Sequence, residues 1–203
     1  MAKKAKPTHV SVLVDRSGSM GNMWAETVSQ VNTFMEAQKQ LEGKLRLSLA
    51  TFDSYTADDS GFQPVYANVK RKEAVGVPHT ILPRGGTPLY DAIGAQIAAV
   101  AESLPEGWQA SLVIMTDGME NMSTEYTHET LKAVIETKEA EGWQFVFLGA
   151  NIDASRTASS LGMNGTTVQY DSASVGPAYT AATVSILGYR TSGERAAEEV
   201  DVT

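Results

Sequence analysis

The sequence predicts an α/β fold in which helices cover both faces of a mostly parallel sheet. Two observations predict it. Apolar runs of strand length alternate along the chain with helical stretches. Most of these runs are apolar throughout, which marks strands buried on both faces, as parallel strands are. No repeat, low-complexity tract or linker interrupts the 203 residues, a length suited to one domain with a sizeable core.

The elements follow in order. "HVSVLVD" (9–15) is short, β-branched and closed by a polar loop, as a buried strand is. Trp24, Val28, Val31, Met35 and Leu41 then recur near helical spacing, and Gly43 ends that helix. "KLRLSLATF" (44–52) alternates like a strand with a more exposed side. After a polar loop, "YTADDSG" (55–61), "QPVYANVK" (63–70) reads as a weaker strand whose Pro64 suits a sheet edge. "LPRGGTPLYDAIGAQIAAVAESL" (82–104) is a glycine-rich loop entering a helix. Pro88 fits its first turn, and Leu89, Ile93, Ile97, Val100 and Leu104 form its apolar face. "ASLVIMTDG" (110–118) is a buried strand with polar chemistry at its end. A helix from about Thr127 has that threonine as N-cap and Glu129 near its positive end. "WQFVFLGAN" (143–151) and "GTTVQYD" (165–171) are further strands, and "GPAYTAATVSILGYRTSG" (176–193) is the last helix. Residues 1–8 are expected to form a flexible leader, 9–190 the domain, and 191–203 an acidic, frayed tail.

Composition narrows the functional classes. No apolar run is long enough to cross a bilayer, and the N-terminal lysines lack the apolar stretch of a signal peptide. Cysteine is absent, so there is no disulfide framework or thiolate metal site, which fits a reducing compartment; the expected location is cytoplasmic. A net charge of −8 with no basic stripe argues against nucleic acid as the main partner.

Three loops carry oxygen-bearing side chains at strand ends. In "DRSGSM" (15–20), Asp15, Ser17 and Ser19 alternate about a glycine, so a tight loop aims one carboxylate and two hydroxyls at a common point. "RGGTPLYDAI" presents Thr87 after two glycines, and "MTDG" ends a strand on Asp117. Parallel sheets bind ligands beyond the carboxyl ends of their strands, where strand order reverses. If the sheet is doubly wound, the first strand and the Asp117 strand are neighbours there, and the five side chains converge. All are hard oxygen donors, which suit Mg²⁺, Mn²⁺ or Ca²⁺ rather than zinc or copper.

These residues carry a resemblance. D-x-S-x-S at Asp15, Ser17 and Ser19, a distant threonine at Thr87 and a distant aspartate at Asp117 resemble the metal-ion-dependent adhesion site of von Willebrand factor A (VWA) domains. All five positions match, and the resemblance runs from about His9 to about Arg190, in a single domain of bacterial or phage type. It implies a Rossmann-like sheet in the order 3-2-1-4-5-6 with one antiparallel edge strand. It also implies ligation by Ser17, Ser19 and, in one conformation, Thr87, with Asp15 and Asp117 often acting through water. The family mostly grips a partner, whose glutamate or aspartate completes the coordination of the ion. Chemistry supports gripping: three of the five groups are neutral hydroxyls, so the ion stays electron-poor and attracts an outside anion.

Other readings stand beside this one. Taken alone, Ser17 and Ser19 read more readily as caps of a helix starting near Asn22, since caps are far commoner, and Asp117-Gly118 reads as an ordinary turn. Asp91 supports a helix start, and Asp53 is either a support behind the ligands or a solvated loop acid. Met20, Met119, Glu120 and Asn121 are candidates for a partner-binding rim, with core filling an alternative for the methionines. His9, His79 and His128 show no zinc spacing. An enzyme is not expected: a phosphatase using Asp15 lacks a second acid two residues on and a nearby lysine, and no G-x-S-x-G elbow exists. The expected function is metal-dependent docking of a partner's acidic side chain. The alternative is a metal-locked component of a phage or multiprotein particle, through self-assembly or beside an AAA+ ATPase.

Overall fold

The computed structural model describes residues 5–54 and 61–203. Seven strands form one sheet: β1 (Thr8–Asp15), β2 (Leu45–Phe52), β3 (Phe62–Lys70), β4 (Gln109–Thr116), β5 (Gln144–Ala150), β6 (Thr166–Tyr170) and β7 (Glu199–Asp201). Their order is β3-β2-β1-β4-β5-β6-β7, which is the expected order with one strand added at the end. Only β3 runs antiparallel, on the edge where Pro64 placed it. Strand order reverses between β1 and β4, which pair in parallel from Thr8–Gln109 to Val14–Met115.

Helices cover both faces. On one face lie α1 (Trp24–Gln40) and α5 (Val175–Ser192). They pack on Val10, Val12, Val14, Val113 and Met115. On the other lie α2 (Leu89–Ser103), α3 (His128–Ala140) and the short α4 (Ala154–Ser160), against Leu13, Leu112, Ile114, Phe145 and Phe147. The central strands thus feed alternate side chains into two cores, and both sets are apolar because neither face meets water. Thr127 caps α3 as expected, its Oγ1 accepting from Thr130 N at 3.2 Å.

Three elements differ from expectation. A 3₁₀ helix, Gly18–Asn22, precedes α1. The α4 sequence "ASRTASS" has no apolar stripe to announce it; Asp153 starts the helix by accepting from Arg156 N. The tail does not fray: β7 pairs with β6, and Arg195 bonds Glu139 at 3.0 Å. At the other end, Ala5 is buried and Lys6 N donates to Arg190 O at 2.8 Å, so this part of the expected leader is docked. The leader's residues 1–4 and the polar loop at 55–60 lie outside the described residues. Among the described residues, no helix is long and apolar enough to cross a membrane.

Candidate metal centre

Asp15 ends β1 and is fully buried. Its Oδ1 accepts from Ser17 N at 2.6 Å and its Oδ2 from Thr116 Oγ1 at 2.6 Å. These two donors fix the carboxylate at the point where strand order reverses. Ser17 occupies the position before the 3₁₀ helix, yet its hydroxyl makes no capping bond. Instead Ser17 Oγ lies 3.1 Å from Ser19 Oγ, which in turn donates to Asp117 Oδ1 at 2.7 Å. The capping alternative therefore fails for Ser17, whose hydroxyl faces the other polar groups.

Thr87 reaches the same place from the loop before α2. Gly85 adopts φ +68°, a left-handed conformation that glycine takes without strain, and its carbonyl accepts from Gly18 N at 3.0 Å. That bond ties the two loops together. A Cβ added to Gly118 would stand 2.9 Å from Thr87 Oγ1, so the threonine hydroxyl abuts the residue after Asp117. The base of the site is closed, with Ser17 and Thr87 buried, whereas Ser19 is exposed and Asp117 half-buried. The site has a wall of fixed oxygens and an open mouth.

The oxygen spacing fits a small dication. Adjacent ligands of octahedral Mg²⁺, at about 2.0–2.1 Å from the ion, stand about 3 Å apart. The links Ser17 Oγ–Ser19 Oγ and Ser19 Oγ–Asp117 Oδ1 are 3.1 and 2.7 Å. Among the described residues no group of three or more His, Cys, Asp or Glu side chains could hold a metal, so any ion here relies on hydroxyls beside two carboxylates. Burial pushes the Asp15 carboxyl up to about 6, against the pull of its bonds to Thr116 and Ser17 and with a further push from Asp117. Burial also raises Asp117, opposed by the bond from Ser19. Neither acid makes an ion pair among the described residues. An uncompensated buried acid is costly when ionised, and a bound dication is what would offset it.

The surrounding residues divide. Asp53 is not a solvated acid: it is buried and pairs with Arg16, inside the D-x-S-x-S loop, and with Arg84 at 3.2 Å. It braces the loop, since Arg16 N also donates to Phe52 O and Arg84 N to Arg16 O. Met20 does not reach the rim; the 3₁₀ turn directs it inward, and it is fully buried in the core under α1 and α5. Met119 is 76% exposed beside the mouth. Glu120 turns its carboxylate to the backbone, accepting from Met122 N, Ser123 N and Tyr90 N. Asn121 is exposed, and its Oδ1 accepts from Thr87 N at 2.9 Å. It positions the threonine. Asp91 accepts from Thr124, Glu125 and Tyr126 N–H groups and so pins that loop to α2. The sequence reading missed Thr116, whose only signal was a hydroxyl directly before the acid that ends β4.

No family model matches the sequence, and no curated protein does. Solved structures share its fold. The pilus adhesin SpaC from Lactobacillus rhamnosus GG, in an open conformation, superposes with TM-score 0.68 at 14% identity, over 93% of this chain and 31% of the adhesin. Manganese-loaded TRAP protein from Plasmodium vivax gives 0.56 at 17% identity, over 71% and 57%. The SpRpn10 VWA domain gives 0.60 at 10% identity, over 81% and 86%. The chain spans about a third of the adhesin's length. At these identities the likeness establishes the fold, which this chain shares with that VWA domain, and leaves function to the site.

Proposed function

We propose that this chain is a protein-binding module that holds a divalent cation, Mg²⁺ or else Mn²⁺ or Ca²⁺, and uses it to dock an acidic side chain of a partner. Ser17, Ser19 and Thr87 would supply neutral oxygens to the ion, and Asp15 and Asp117 the charge. The bound ion supplies a Lewis-acid position open to an external carboxylate. The protein's own residues do the rest: Thr116 and Ser17 N hold Asp15, Asn121 holds Thr87, and the Arg16–Asp53 pair holds the first loop.

The observation that carries this reading is the buried Asp15 beside two linked serine hydroxyls and Asp117 at an open mouth, with neither acid in an ion pair among the described residues. Likeness to an adhesin and to a manganese-loaded protein of the same fold supports it. Binding is favoured over turnover because hydroxyls outnumber carboxylates, which leaves the ion hungry for an outside anion. The test is partner capture from the native host by the full chain, in Mg²⁺ and in EDTA, beside Asp15→Ala. Capture that survives both EDTA and the substitution overturns the proposal. A metal-locked assembly of identical copies would instead show as a Mg²⁺-dependent change in mass.

A further inference from the structure

A second feature opens beside the candidate metal centre. A groove of about 560 Å³ runs between the start of α2, the loop after β4, the loop after β5 and α4. Its apolar lining is the half-buried Tyr90 and Ile152 over the buried Leu89, and Met119 has most of its surface in water. Its lining begins two residues beyond Thr87, at Leu89, and two beyond Asp117, at Met119, so the groove and the candidate metal centre are built from the same two chain segments. Its size falls in the usual range for ligand pockets.

The charge of the groove selects an occupant. Two acids lie on its walls: Glu120, both of whose oxygens are taken by hydrogen bonds, and the exposed Asp153, one of whose oxygens is. Glu120 takes three backbone N–H groups and the Ser123 hydroxyl, and Asp153 takes Arg156 N. Arg156 is exposed on the far wall and makes no ion pair among the described residues. An occupant thus meets a dication at one end, apolar surface in the middle and a guanidinium at the other end.

We infer that this groove takes an extended acidic segment of the partner, with an apolar side chain one or two positions from the metal-binding carboxylate lying on Tyr90, Met119 and Ile152 and a second acid meeting Arg156. The inference rests on the proposed metal-dependent docking and adds what the partner must carry beside its carboxylate. Apolar contact on the floor supplies affinity, and Arg156 sets direction along the groove.

The test uses the full chain and three capped peptides containing Glu-Leu-Leu-Asp, Glu-Ser-Ser-Asp or Glu-Leu-Leu-Ser, titrated in Mg²⁺ and in EDTA. Methyl signals of Met119 and Ile152 report the groove, and calorimetry of Mg²⁺ alone reports the ion. The expected result is binding of Glu-Leu-Leu-Asp about tenfold tighter than Glu-Ser-Ser-Asp, with both methyls shifted and the preference lost in EDTA. Met119→Ser should shrink the advantage of leucine over serine, and Arg156→Glu should erase the advantage of the final aspartate. Both variants should take up Mg²⁺ as the parent does. Equal affinity for the three peptides, silent methyls, no binding at millimolar peptide, or binding unchanged in EDTA would each overturn the groove. If Mg²⁺ uptake is intact in those cases, the metal centre stands and only the groove falls. If the parent takes up no metal, both fall.

Discussion

Asp15 shows what one residue contributes and what it costs. Its carboxyl titrates at about 6 in the folded chain against an ordinary value of 3.8. The folded state then binds more protons than the unfolded state between those values, so the metal-free protein loses stability as pH rises from about 4 to 6. The full loss is about 3 kcal/mol. Asp15→Asn removes this penalty, so metal-free Asp15→Asn should unfold at higher denaturant than the parent at pH 7, by up to about 3 kcal/mol, with the gap closing near pH 4. A parent at least as stable as the variant at pH 7 would refute that cost. With Mg²⁺ present the order should reverse, because only an ionised Asp15 can serve the ion. Gly118 makes a second point at this scale. A Cβ there meets Thr87 Oγ1 at 2.9 Å, so Gly118→Ala should weaken Mg²⁺ uptake several-fold while changing the unfolding midpoint little. Unaltered uptake would show that the hydroxyl has room to yield. The meeting of Asp15, Ser17, Ser19 and Asp117, with Thr87 against Gly118, was legible in the sequence because alternation on one loop and glycines beside the others constrain where they point. Thr116, and Arg16 pairing with Asp53, were not legible, because their partners are distant in sequence and adjacent only across strands.

Elements were legible in proportion to their apolar pattern. The first six strands and four longer helices bury a face or both faces, and burial leaves a period in the sequence. The 3₁₀ helix and α4 are five and seven residues long, and β7 is three, too short for a period to register. The 3₁₀ turn has a consequence at the rim. It sends Met20 into the core while the loop after β4 leaves Met119 in water, although both flank the site in sequence. Met20→Ala should therefore cost about 2–5 kcal/mol of stability, whereas Met119→Ser should leave unfolding nearly unchanged. Equal and small effects from the two would contradict the inward placement of Met20.

On the scale of the whole molecule, the sheet separates stability from binding. β7 closes the far edge three strands beyond β4, about 14 Å from that strand across the sheet. It is held there by Val202 N to Gln169 O, Ser155 Oγ to Glu199 and the Arg195–Glu139 pair. Removing residues 193–203 should lower stability on the order of 2 kcal/mol by stripping Val200 and Val202 from the core edge, yet leave Mg²⁺ uptake intact. Loss of uptake on that truncation would mean that the edge and the centre are coupled. The strand order that separates them also brings Asp15, Thr87 and Asp117 together from three distant parts of the chain. The direct measurement is a calorimetric titration of Mg²⁺ and Mn²⁺ into the full chain at pH 7.5. One ion should bind per chain, with uptake abolished by Asp15→Ala and weakened by Thr87→Ala. No heat of binding, or equal binding by Asp15→Ala, would contradict the metal centre.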